Sequence, residues 1–191
     1  SNKKIVVCAL DTNWENSIKN YVMKLLTKLN ITSIFYSHYW IPGYPQYEFL
    51  KKLSIDDSKI IFNALSADLT IFESSFHRYK DEKERHYPHR FLYVGRLSWQ
   101  KSIPLLISAW KDIQEKNTDW ELVLIGNGNL KDSAEGYKNI KILNWLQPED
   151  LHEEIKKSGC FIVPSHWEPW AVTVHEFCAA GMPMILSDKI G

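Results

Sequence analysis

The stretch that decides the fold is FLYVGRLSWQKSIPLLISAWKDIQEKNTDWELVLIGNG, residues 91–128. It opens on FLYVGRL, an apolar run of strand length. IPLLISAWKDIQEK then repeats apolar residues three and four positions apart, the period of a helix with one buried face. WELVLIGNG closes it, a second apolar run that stops at a glycine turn. Strand, helix and strand in so short a span form a crossover unit, which joins parallel strands.

The alternation continues in both directions. Downstream, NIKIL reads as a strand. QPEDLHEEIKKSG reads as a helix with acid in its first turn, lysines in its last and Gly159 as its stop, an order that suits the helix dipole. CFIVPS is a strand, VTVHEFCAAG a helix over about Ala171–Ala180, and MPMILSD a strand. Upstream, KIVVCAL (residues 4–10) reads as a strand and SIKNYVMKLLTKL (17–29) as a helix. TSIFYS then reads as a strand, YPQYEFLKKL as a helix and KIIFN (59–63) as a strand. ESSFHRYKDEKERHYPHR, residues 73–90, is charged and without period, and reads as a linker or surface crossing. The expected class is α/β, a parallel sheet covered on both faces, with ligands beyond the carboxyl ends of its strands.

Bulk composition narrows the function. The 191 residues suffice for one large domain or two small ones. Lys+Arg and Asp+Glu both number 23, and a net charge of zero argues against nucleic acid as a partner. Cys8, Cys160 and Cys178 form no CxxC, which argues against a disulfide framework or zinc site and fits a reducing compartment. No apolar run could span a bilayer and no secretory signal peptide is present, so the sequon at Asn30 carries little weight. The expected location is the cytoplasm. Peripheral contact with the inner face of the membrane stays open, although no basic amphipathic helix stands out.

Three motifs carry chemistry. Gly95-Arg96 follows a strand and Lys101 follows shortly after. Two cations at the mouth of a sheet suit a diphosphate, and an exposed basic loop would look the same. Gly126-Asn127-Gly128 permits a tight turn or a close ligand approach, but neither GxGxxG nor GxxxxGK[ST] is present. SHWEPWAVTVHEFCAAG, residues 165–181, is the richest. Glu168 sits in the loop after a strand, Pro169 suits a helix start, and Glu176 lies one to two turns inside that helix. Between them stand the free amides of the helix start, a natural anion site. Carboxylate, anion site and carboxylate suit a sugar nucleotide; a capping acid and a salt-bridged helix acid fit equally. His166 and His175 lack the second histidine of HExxH, and there is no acidic DxD and no GxSxG, so no metal site or serine elbow is expected. His38 follows a strand and reads as a structural histidine before a sugar contact.

FLYVGRLSWQKSIPLLISAW, WELVLIGNGNL, ILNWLQPEDL and FIVPSHWEPWAVTVHEFCAAGMPMILSD, in this order from about Phe91 to Gly191, resemble the nucleotide-sugar-binding half of retaining GT-B glycosyltransferases of family 4 (glycosyl transferases group 1). KIIFNALSADLTIF is similar to the segment that leads out of their N-terminal domain. The resemblance implies a GT-B-type fold of two Rossmann-like domains, a partial acceptor-side domain plus linker over residues 1–90 and a donor-binding domain over 91–191. It implies that Arg96 and Lys101 neutralise the departing diphosphate and that Glu168 bonds the transferred sugar, the three forming the catalytic set. Gly95, Gly126 and Gly128 would lie along the donor, and Trp170, Ala171, Val172 and Thr173 would hold phosphate. Glu176 would bond the ribose, and the 144–146 loop with Trp145 would face the base. A UDP- or GDP-type donor is implied as substrate, with no cofactor and no metal. The acceptor would be a glycan or lipid-linked glycan, the configuration retained, and the setting surface polysaccharide or glycoconjugate biosynthesis.

Ser102, Ala171 and Asn144 stand where this family favours glycine. Residues 1–90 fall well short of a full acceptor domain and the chain stops soon after SDKIG, so truncation of both parts is expected. A silent nucleotide-sugar-binding module, or another GT-B enzyme such as a phosphorylase, stays open. Donor base, sugar, acceptor and oligomeric state leave no signal.

Overall fold

A computed structural model describes residues 4–63, 65–117 and 119–190; Gly191, where the resemblance ends, lies outside them. The described residues pack as two compact units, one up to Ser66 and one spanning Ala67–Ile190.

The first unit is built on three parallel strands, β1 (Val7–Ala9), β2 (His38–Trp40) and β3 (Ile60–Ile61), in that order. Helix α1 (Ile18–Lys28) starts at Ser17, whose hydroxyl accepts from the Asn20 amide at 3.4 Å. Helix α3 (Tyr44–Lys52) carries Pro45 in its first turn and Lys51 and Lys52 in its last. Its Phe49 and Leu50 pack with Tyr39, Ile41, Leu53 and Ile55 into a small core. TSIFYS corrects the reading above: Thr32–Phe35 form one helical turn, α2, and the strand comes later at His38–Trp40. A six-residue stretch with only Ile34, Phe35 and Tyr36 apolar does not tell the two apart. Here Ser33 donates to the Asn30 carbonyl at 2.6 Å and the Tyr36 amide to the Thr32 carbonyl at 3.0 Å, which closes the turn.

The second unit holds α4 (Thr70–Arg85), β4 (Arg90–Val94), α5 (Ile103–Gln114), β5 (Glu121–Ile125), β6 (Ile140–Leu143), α6 (Leu151–Lys156), β7 (Cys160–Val163), α7 (Val172–Ala179) and β8 (Met184–Leu186). All five strands are parallel, in the order β6-β5-β4-β7-β8. Leu92, Val94, Phe161 and Phe177 fill one face; Tyr93, Leu122, Leu124 and Trp110 fill the other. Both faces are therefore dry, as near-continuous apolar strands require. The stretch 73–90 is a second correction. Most of it is helix, which turns Phe72, Ser75 and Tyr79 inward and packs on α6 and α7. The inward stripe is narrow and includes a serine, so charge hides its period.

Strand order fixes where a ligand belongs. β4 is central, β5 and β6 build outward on one side, and β7 and β8 build outward on the other. The direction of construction reverses between β4 and β7. Loops leaving those two strands separate there and open a crevice at their carboxyl ends.

Candidate active site

The loop after β4 is held from below and from behind. Tyr93 is buried, and its hydroxyl donates to the Arg96 carbonyl at 2.8 Å. Burial pushes this phenol above its usual range. A Cβ at Gly95 would stand 2.8 Å from the Tyr93 hydroxyl, so the glycine lets the phenol lie under the loop. From behind, the Gly95 amide donates to Ile125 O at 3.0 Å and the Leu97 amide to Asn127 O at 3.0 Å. A Cβ at Gly126 would meet Gly95 O at 2.0 Å, and one at Gly128 would meet Leu97 O at 2.1 Å. The GNG turn therefore has a packing role, in which backbone presses on backbone to brace the loop that carries Arg96.

A second set of bonds ties this loop to the one after β7. Trp99–Lys101 form a single tight turn. The His166 amide donates to Gln100 O at 2.9 Å, and the Gln100 side-chain amide donates to Trp167 O at 3.2 Å. Lys101 and Glu168 form an ion pair, and the Glu168 side chain is only 11% exposed. The Glu168 amide is itself anchored on Lys189 O at 3.1 Å. Burial, with the nearby Arg96 charge, holds the Lys101 ammonium below the usual lysine value.

Two of the three glycine departures, Ser102 and Ala171, differ in physical weight. Ser102 has φ 55° and ψ 33°, the left-handed region, and is fully buried with no partner for its hydroxyl among the described residues. That conformation costs a side-chain-bearing residue about 1 kcal/mol relative to glycine. Ala171 has φ −94° and ψ 85°, open to any L-residue, so its methyl costs the backbone nothing.

Between the two loops lies a cavity of about 190 Å³. Gly95, Arg96, Lys101, Glu168 and Trp170–Thr173 line it, with Tyr93, Val94 and Val163 as its floor. The first turn of α7 contributes amides that have no partner inside their helix. Two cations and a helix start around one hole make an anion site with a carboxylate at its rim.

Four predicted residues stand outside this lining. Gly126 and Gly128 brace it. Glu176, half-buried on α7, has no ion pair among the described residues, and burial raises its carboxyl above the ordinary 4.5. It is therefore not a salt-bridged helix acid. Nor is Glu168 a cap, since Ala171 holds the cap position. Trp145 is 56% exposed in the loop after β6, beside Asn144, whose side-chain oxygen accepts from Lys131 at 2.7 Å. Sequence reasoning missed Tyr93 and Gln100. Alternation along β4 marks Tyr93 only as core, and nothing marks Gln100. His166 lies exposed against Trp99, ring centroids 5.4 Å apart, and His38 bonds Ser37 at 3.2 Å. No group of three or more His, Cys, Asp or Glu converges among the described residues. No helix there is long and apolar enough to cross a membrane.

The family described as glycosyl transferases group 1 matches residues 76–191. An uncharacterised glycosyltransferase of Methanocaldococcus jannaschii is 29% identical over 153 residues, covering 71% of this chain and 37% of the relative. A UDP-Gal:alpha-D-GlcNAc-diphosphoundecaprenol alpha-1,3-galactosyltransferase of Escherichia coli is 30% identical over 157 residues, covering 74% of this chain and 40% of the relative. The chain thus spans well under half the length of these two relatives. Among solved structures, Anabaena HepE in complex with UDP superposes with a TM-score of 0.75 at 13% identity, over 98% of this chain and 54% of that one. WaaG, a glycosyltransferase involved in lipopolysaccharide biosynthesis, superposes at 0.70 and 14% identity, over 97% and 57%. The fold is GT-B-type, with two Rossmann-like parallel-sheet units.

Proposed function

The chain belongs to the glycosyl transferases group 1, and from that premise we propose that it forms the donor-gripping part of an enzyme moving a sugar from a nucleotide donor to a glycan or lipid-linked acceptor, with retention of configuration. One observation carries the reading: Arg96, Lys101, Glu168 and the start of α7 converge on a single cavity at the point where strand order reverses.

The roles divide by chemistry. Arg96 and Lys101 take the diphosphate and stabilise the charge that grows on it as the sugar leaves. Glu168 keeps Lys101 aimed before the donor arrives, then accepts hydroxyls of the transferred sugar. The amides at Val172 and Thr173 hold phosphate, with Trp170 and Ala171 shaping the wall. Glu176, a carboxylate without a cation, accepts ribose hydroxyls, and the Trp145 loop meets the base. Cations and a helix terminus supply the charge stabilisation, so the reading needs no metal. The donor is of UDP or GDP type; the UDP-Gal in the name of the Escherichia coli relative and the UDP bound by HepE favour UDP. That relative and WaaG support a role in surface glycoconjugate assembly, and the proposed location is the cytoplasm or the inner face of the membrane.

The test is transfer by the full-length protein, with UDP- and GDP-sugars as donors. Glu168→Gln and Lys101→Ala are each expected to lower kcat/KM by about 100-fold or more. Undiminished transfer would overturn the assigned roles. Donor binding by the unaltered protein without turnover would instead identify a silent module.

A further inference from the structure

Where α4, α6 and the α7–β8 turn meet, the second unit carries a groove of about 160 Å³ that shares no residue with the donor cavity. Phe76, Tyr79, Tyr87 and Pro183 wall it. Gly181, at φ 67°, gives it depth: a Cβ there would lie 2.3 Å from the Phe76 ring. Two lysines face in. Lys80 is exposed, its ammonium 5.7 Å from the Phe76 ring centre. Lys83, nearly one turn on, is half-buried and donates to the Ile155 carbonyl at 3.1 Å.

Lys83 has no carboxylate partner among the described residues. On α4, Glu84 lines the groove, and Glu82 is paired with Lys156 of α6 at 3.3 Å. On α6, Glu153 lies 3.5 Å from the Tyr79 hydroxyl. The α7–β8 turn, residues 180–183, bears no charge. An amine against aromatic walls without a counter-ion is penalised in its charged form. Burial accordingly brings Lys83 from 10.5 down to about 8.

We propose that Lys83 is a covalent modification site, a nucleophilic amine that takes a small acyl group from an acyl phosphate within this groove. The neutral Nζ attacks the acyl carbon and a C–N bond forms. The bond from that carbon to the phosphate oxygen breaks, phosphate leaves with the electron pair, and the surplus amine proton passes to water. Lys80 at the mouth attracts the phosphate. The product is an uncharged amide whose N–H still reaches Ile155 O and whose apolar end lies on the aromatic wall.

Near pH 7.5 about a quarter of such amines are neutral, against about a thousandth for an ordinary lysine. Lower basicity weakens the nucleophile; a Brønsted slope of about 0.5, the value thiolates show, cancels roughly half of that gain on a logarithmic scale. The expected net advantage is about tenfold. The test is incubation of the chain with acetyl phosphate near pH 7.5, with acetylation mapped by peptide mass spectrometry. Lys83 is expected to react about tenfold faster than Lys80, and concentrated urea is expected to abolish the difference. Equal rates in the folded protein, or an advantage that survives in urea, would overturn the proposal.

Discussion

Strand β4 has an ion cluster at each end, and the two differ in what they leave unpaired. At its start, Arg90 forks between Glu121, with Nε 2.5 Å from the carboxylate, and Glu154, at 2.7 Å; Lys157 also reaches Glu154 at 3.3 Å. Two cations meet two carboxylates, and the cluster is neutral. Beyond its end, Lys101 meets Glu168 while Arg96 has no ion pair among the described residues. Two cations there meet one carboxylate, and the surplus positive charge faces a cavity. The same residue types thus serve as a closed fastening at one end and an unfinished one at the other. An unfinished cluster next to a hole marks a binding site more surely than burial or charge alone.

That contrast breaks most directly at Arg90. Arg90→Ala leaves Glu154 buried and short of its partner. It is expected to lower the unfolding free energy by about 3–5 kcal/mol in a denaturant titration. Arg90→Met combined with Glu154→Leu, which removes the buried charge too, is expected to recover most of that loss. Lys101→Ala is expected to do the opposite, cutting transfer by about 100- to 1000-fold; Arg96 remains beside Glu168 in the same cavity, so the change in the unfolding midpoint is expected to be smaller than for Arg90→Ala. If Lys101→Ala destabilises as much as Arg90→Ala, both clusters are fastenings.

Glu176 sharpens the contrast by pH. Its folded carboxyl lies above the unfolded value, so the folded chain holds this proton more tightly. The resulting stability is present below about pH 4.5 and lost as pH rises through the raised value. Glu176→Gln is therefore expected to gain stability relative to the parent at pH 7 and not at pH 4, read as a shift between thermal midpoints, while its donor affinity falls. The smallest expected effect belongs to Ser102→Gly. Relief of the left-handed serine should raise stability by about 1 kcal/mol in the same titration and leave transfer intact.

The parallel sheet was legible because period and length agree over residues 91–128, where each strand is apolar past its first residue and the helix between them is long. α2 and α4 were not. One is too short for a period to appear, and in the other Ser75 breaks the apolar stripe between Phe72 and Tyr79. At the site, Glu168 and Lys101 were legible as residue types at strand ends, but their pairing is a tertiary fact. Sequence marked both Ser102 and Ala171 as departures from glycine; backbone angles separate them, since only Ser102 is left-handed. Gly126 and Gly128 were visible as a turn, while the carbonyls they press against lie some thirty residues earlier in the chain.

The bonds that aim the two cations are mostly main-chain bonds. The Leu97 amide, Asn127 carbonyl, His166 amide and Gln100 carbonyl would bond alike beneath almost any side chain. Drift at 127 and 166 therefore leaves the aim of Arg96 and Lys101 undisturbed, while a single added carbon at 126 or 128 would force the braced loop out of place. Mutational tolerance in this half of the molecule should follow that split. It should be wide at the loop tips, where partners and substrates could be exchanged over evolutionary time, and nearly absent at two glycines that touch no substrate in this reading.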